Sequence, residues 1–187
     1  MRIKNSPSAY GLVSIILHWL IAIVVLGMFA LGYWMVDLGY YNPWYHKAPA
    51  LHKSIGVVLF ALLAFRVIWR FTNQPVQPVA SHSPWVRTGA KIAHLLMYVM
   101  LFTIVFSGYL ISTADGAGVL VFGLFEVPAT LQGLPDQADL AGFIHKYVAW
   151  ALMVTVFIHA VAALKHHWFE GDETLVRMFG KRARKPK

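Results

Sequence analysis

Four stretches of this chain are almost continuously apolar: residues 10–35, 50–71, 86–113 and 142–169. A helix that crosses about 30 Å of hydrocarbon needs ~20 such residues, so each stretch predicts a membrane-spanning helix. Polar residues collect between them. The segment 36–49, VDLGYYNPWYHKAP, carries Tyr40, Tyr41, Trp44 and Tyr45, which suit the headgroup layer. The segment 72–85, TNQPVQPVASHSPW, holds three prolines and reads as a loop. The longest connection is 114–141; within it VLVFGLFEVP (119–128) is apolar but too short to span, and is expected to lie at the interface or to dip in and return. After Gly171 the run DETLVRMFG predicts a helix with Asp172 as N-cap and an apolar side of Leu175, Val176, Met178 and Phe179. KRARKPK follows it, so residues 172–187 read as an amphipathic basic tail. The pattern predicts an all-α membrane protein, one domain over 1–187, built as a four-transmembrane-helix bundle.

Composition sharpens this. The 187 residues are 58% hydrophobic with a mean hydropathy of +0.59, too apolar for an average soluble domain. There is no cysteine, which excludes disulfides, iron–sulfur ligation and covalent haem attachment. The net charge of +8 invites a nucleic-acid partner, but the cations stand beside apolar spans and are better explained by membrane orientation, so no nucleic acid is expected. Thirteen of the sixteen Lys and Arg residues fall at the N-terminus, around 66–91 and in the tail; Lys47, Lys53 and Lys146 are the other three. The positive-inside rule then places both termini in the cytoplasm of a multi-pass protein. Arg2 and Lys4 before an apolar run could mimic a signal peptide, but Gly11–Tyr33 is about twice the length of a signal core and reads as a retained span.

Charge inside the spans is scarce, and histidine takes its place. His145 and His159 are fourteen residues apart on the fourth span, about 21 Å along a helix and on nearly one face. His18 lies at the depth of His159, roughly 8–10 Å inside the cytoplasmic edge, and His52 at that of His145, roughly 3–5 Å inside the outer edge. Four imidazoles thus sort into two pairs at two depths. Ionisable groups at such depths are costly and mark function. Zinc would need a third or fourth ligand at each level. Haem, with four equatorial nitrogens of its own, needs two axial ligands only, which favours two bis-histidine haem b groups: His18/His159 inner, His52/His145 outer. Gly56, one turn after His52, offers room for a flat macrocycle. His94 and His166 either approach a quinone headgroup beside the inner pair or are interfacial residues. Lys53 and Lys146, each next to a ligand, either hold propionates or an incoming anion, or snorkel. Arg66 and Arg70, one turn apart, read as snorkelling side chains; His46 and His82 read as surface loop residues and His167 as solvated. A metal or proton transporter using the histidines as a relay is the remaining alternative from the residues alone.

The runs ILHWL (16–20), LHKSIG (51–56), FRVIWRF (65–71), AHLLMY (93–98), HKYVAWALMVTVFIHAVAALKHHWF (145–169) and DETLVRMF resemble the bacterial cytochrome b561 family, in order along nearly the whole chain. The resemblance implies a dihaem cytochrome b of the bacterial inner membrane, with iron ligands at His18, His52, His145 and His159. The short form ending in HHWF and DETLVRMF is similar to the superoxide oxidase branch, which implies a superoxide:ubiquinone oxidoreductase oxidising superoxide at the outer side. Related subunits that anchor a hydrogenase or formate dehydrogenase imply the alternative, an electron carrier for a partner redox enzyme.

Overall fold

The structure is a computed structural model that describes residues 2–79 and 82–180. Four long helices carry the chain: α1 (Leu12–Met35), α2 (Lys47–Thr72), α3 (Pro84–Thr113) and α4 (Gln137–Trp168). All four are long and apolar enough to cross a membrane. Their surface is inverted relative to a soluble protein: Ile23 is 67% and Phe157 69% exposed, the side chains a lipid phase would cover.

Helix ends follow local chemistry. The Asn5 side-chain oxygen accepts from Gly11 N–H and from the Ser14 hydroxyl (both 2.8 Å), which fixes the start of α1. α2 begins at Lys47, earlier than the loop 36–49 suggests, because Pro49 falls in its first turn, where a missing N–H costs nothing. α3 opens on Pro84, with Ser83 Oγ accepting from Val86 N–H. α4 starts five residues before 142, at Gln137. The Gln137 amide donates to the Leu110 and Leu131 carbonyls and accepts from Leu134 N–H, so its side chain satisfies three backbone groups there. Asp139 in the first turn and Lys165, His166 and His167 in the last complement the helix dipole.

Two segments differ in detail from the pattern. The segment 119–128, read only as apolar and too short to span, forms an antiparallel hairpin, β1 (Val119–Val121) and β2 (Phe125–Val127), with Leu120 opposite Glu126. Phe122 (φ 49°) and Gly123 (φ 73°) both take left-handed conformations at its tip, as tight hairpin turns demand. The tail helix is one turn only, α5 (Thr174–Arg177), and its N-cap is Glu173. Asp172 still serves the turn, its Oδ1 accepting from Thr174 N–H at 2.8 Å. Residues 181–187, KRARKPK, lie outside the described residues.

The chain divides into two compact units, and each long helix is shared between them. One unit holds the described residues of Met1–Leu20, Ala64–Tyr98 and Leu152–Lys187. Within it Trp69 Nε1 donates to Ser14 Oγ, Trp19 Nε1 donates to the Met178 carbonyl (2.9 Å), and Phe179 stacks on Trp19. The guanidinium groups of Arg66 and Arg70 lie over the Tyr98 ring, and Arg66 Nε donates to its hydroxyl. These two arginines are therefore fixed on an aromatic partner rather than snorkelling freely. The second unit holds Ile21–Leu63 and Val99–Ala151. There the buried Ser54 hydroxyl accepts from Phe122 N–H (3.0 Å) and pins the hairpin tip to α2. Trp150 receives Phe29 and Tyr33 edge-on.

Candidate functional site

The four histidines sorted by depth meet in two half-buried pairs, one in each unit. In the second, the rings of His52 (α2) and His145 (α4) have centroids 6.2 Å apart; in the first, His18 (α1) and His159 (α4) are 6.5 Å apart. A metal–imidazole bond of about 2 Å on each side, plus roughly 1 Å from nitrogen to ring centre, puts two trans-axial imidazoles about 6 Å apart. A direct imidazole–imidazole hydrogen bond would bring the centres to about 5 Å. Both pairs therefore have the spacing of two ligands across one metal.

The surroundings fit a flat group held from both sides. His145 Nδ1 donates to the Ile104 carbonyl at 2.9 Å, with Ser107 Oγ at 3.2 Å, which sets the tautomer and leaves Nε2 for a metal. His52 Nδ1 is buried with no hydrogen-bond partner among the described residues, a polar atom awaiting one. Glycines face both rings: a Cβ on Gly32 would lie 3.2 Å from His52 Cε1, and one on Gly108 3.1 Å from His145 Cε1. Gly56, the glycine singled out from the sequence, instead faces Met28. Because 3.1 Å is inside normal contact, Gly108→Ala is expected to tilt the His145 ring. The cost is about 1–3 kcal/mol, read as a lower unfolding temperature of the purified protein.

The weaker candidates separate. His94 packs edge-on to His159 (5.4 Å), beside the inner pair. His166 does not accompany it there: its Nδ1 bonds Glu170 Oε2 at 2.7 Å and its ring lies 4.7 Å from that of His82. His82 is thus no surface residue; its Nε2 meets Asp172 Oδ2 at 2.5 Å, across ninety residues of sequence. Burial pushes the Asp172 carboxyl up, but bonds from Thr174 N–H, His82 and the Thr174 hydroxyl outweigh it and hold it below the usual range. Glu170 is held low by Lys165 and His166. His167 is not solvated either. Its Nδ1 is buried without a hydrogen-bond partner among the described residues, and it lines an open pocket with Leu175, Val176 and Phe179. Lys53 and Lys146 are exposed, and His46 is an exposed residue against Tyr40 and Tyr45.

Comparison with known proteins places the chain in a family. The sequence signature of a family described as prokaryotic cytochrome b561 matches residues 9–181. Cytochrome b561 homolog 2 of Escherichia coli (strain K12) is 53% identical over 181 residues, covering 97% of this chain and 96% of that protein. A probable superoxide oxidase, CybB, of Yersinia pestis is 28% identical over 180 residues, covering 92% and 97%. Cytochrome b561 homolog 1 of Escherichia coli (strain K12) is 24% identical over 175 residues.

Proposed function

Since this chain belongs to the prokaryotic cytochrome b561 family and is a multi-pass protein of membrane electron transfer, we propose that it oxidises superoxide at the periplasmic face of the inner membrane and reduces ubiquinone at the cytoplasmic face. The observation that carries the electron-transfer part of the reading is the two histidine sets, His18/His159 and His52/His145, whose ring spacing would let each hold a haem. The 28% identity to a probable superoxide oxidase points to the donor. His52 and His145 would hold the outer haem b, and His18 and His159 the inner one, with both termini cytoplasmic. When bound, haem b supplies a one-electron couple at each pair. The balance is two superoxide anions and one quinone, with two cytoplasmic protons, giving two dioxygen and one quinol.

The chain's own residues serve the two ends. At the outer side the exposed ammonium groups of Lys53 and Lys146, each next to a ligand, attract a small anion. Replacing both with glutamine should slow haem reduction by superoxide about tenfold at low salt, leave both haem spectra unchanged, and flatten the ionic-strength dependence. At the inner side His94 stands beside His159, and an open pocket presents the half-buried His167 imidazole among the apolar side chains of Leu175, Val176 and Phe179, the chemistry a quinone headgroup needs. His166, already engaged by Glu170, takes a lesser part. His167→Leu is expected to slow haem reoxidation by quinone severalfold while reduction from the outer side keeps its rate. An unchanged reoxidation rate moves the pocket elsewhere. The decisive experiment mixes purified protein with a superoxide source, follows haem reduction, then adds quinone and follows reoxidation. Haem that stays oxidised under superoxide removes the donor.

A second reading keeps the two haems but takes electrons from a partner dehydrogenase or hydrogenase. It is favoured by the carboxylates Asp115, Glu126, Asp136 and Asp139 in the outer connection, which repel an anion. Copurification with a periplasmic metalloenzyme would select it.

A further inference from the structure

Three separate pieces of chain meet at the end of α4. His82 comes from the loop before α3, His166 from the last turn of α4, and Glu170 and Asp172 from the turn that follows. Gly171 (φ 63°) reverses the chain, and Asp172 N–H donates to the His166 carbonyl at 3.1 Å, which lays the Asp172 carboxylate beside the His166 ring. We propose that His82, His166, Glu170 and Asp172 form a binding site for one divalent transition-metal ion of the zinc class, separate from the two histidine pairs.

The geometry is close to what such an ion takes. One ligand atom from each of the four residues lies within 4.8 Å of every other. A tetrahedral zinc with bonds of about 2 Å holds its ligand atoms roughly 3.4 Å apart, so small side-chain rotations complete the shell. Asp172 Oδ2 is 2.5 Å from His82 Nε2 and 3.7 Å from His166 Nδ1, central to the group. The ion would take the place of the hydrogen in both the His82–Asp172 and the His166–Glu170 bonds. The supporting bonds are present as well. Thr174 donates its N–H to Asp172 Oδ1 and its hydroxyl to Oδ2, fixing that carboxylate. Lys165 Nζ holds Glu170 Oε1 at 3.0 Å and leaves Oε2 for the site. Two carboxylates and two neutral imidazoles carry a charge that matches a dication. Side-chain exposures of 3% for Asp172, 12% for His82 and 15% for His166 leave little water to compete. Mixed nitrogen and oxygen ligands favour zinc over magnesium or calcium, which take oxygen alone.

The test titrates zinc chloride into the purified, haem-loaded, chelator-stripped full chain and measures stoichiometry against a competing chromogenic chelator. One zinc per chain is expected, unaffected by excess magnesium. His82→Gln and Asp172→Asn should each weaken binding about 100-fold, with haem spectra as the check on folding. Glu170→Gln, on the most exposed of the four side chains, does not depend on a buried group and should weaken binding about tenfold. Absence of saturable binding overturns the site, and so does a zinc affinity that Glu170→Gln and every haem-loaded variant leave unchanged.

Discussion

Replacing His145 with alanine is expected to yield a membrane protein that retains one haem b and has lost the other. His145 is the ring that faces His52 in its unit, and among the described residues no other histidine ring is paired with His52. Alanine removes the axial ligand, and it also frees the Ile104 carbonyl and the buried Ser107 hydroxyl that hold the imidazole. A single remaining ligand does not keep a low-spin, six-coordinate haem. The inner pair shares no residue with this site and lies in the other unit, so its spectrum should persist. Pyridine haemochrome analysis of the purified variant measures the count. Two low-spin haems per chain after the substitution would falsify the outer ligand assignment.

His18→Ala should have the opposite pattern and a larger functional effect. It removes the inner ligand and loosens the Trp19–Phe179–Met178 contacts that hold the tail turn beside it. The outer haem should remain reducible by superoxide, while its reoxidation by quinone should fall to the rate seen with no quinone added. Stopped-flow absorbance separates the two steps. His18→Met is the companion variant, since methionine can also ligate haem iron; partial recovery of the inner signal would show that the loss comes from ligation rather than from packing.

How much of this was legible beforehand depended on the range of the signal. The four spans were plain because each apolar run exceeds what a core helix needs, and their ends moved only where a single side chain, such as Gln137, captured free backbone groups. The two histidine pairs could be sorted by depth, because a straight helix converts residue count into distance. The hairpin at 119–127 was hidden: its strands are three residues each, and a continuous apolar run masks the alternation a strand would show. His82 was hidden more deeply. Its partner Asp172 is ninety residues away, and nothing in a proline-rich loop announces such a contact. The glycines beside the His52 and His145 rings, Gly32 and Gly108, sit on neighbouring helices, so counting along the helix of His52 found Gly56 instead.

That both histidine pairs draw their second member from α4 has a consequence for biogenesis. During synthesis α1, α2 and α3 leave the ribosome first, and on the proposed assignment each haem would then have half of its anchorage. Neither pair is complete until α4 has entered the bilayer. The proposal therefore makes loading a late event for both positions at once. A nascent chain arrested before residue 145 should accumulate in the membrane colourless, and its release into the full-length form should bring up both absorbance bands together.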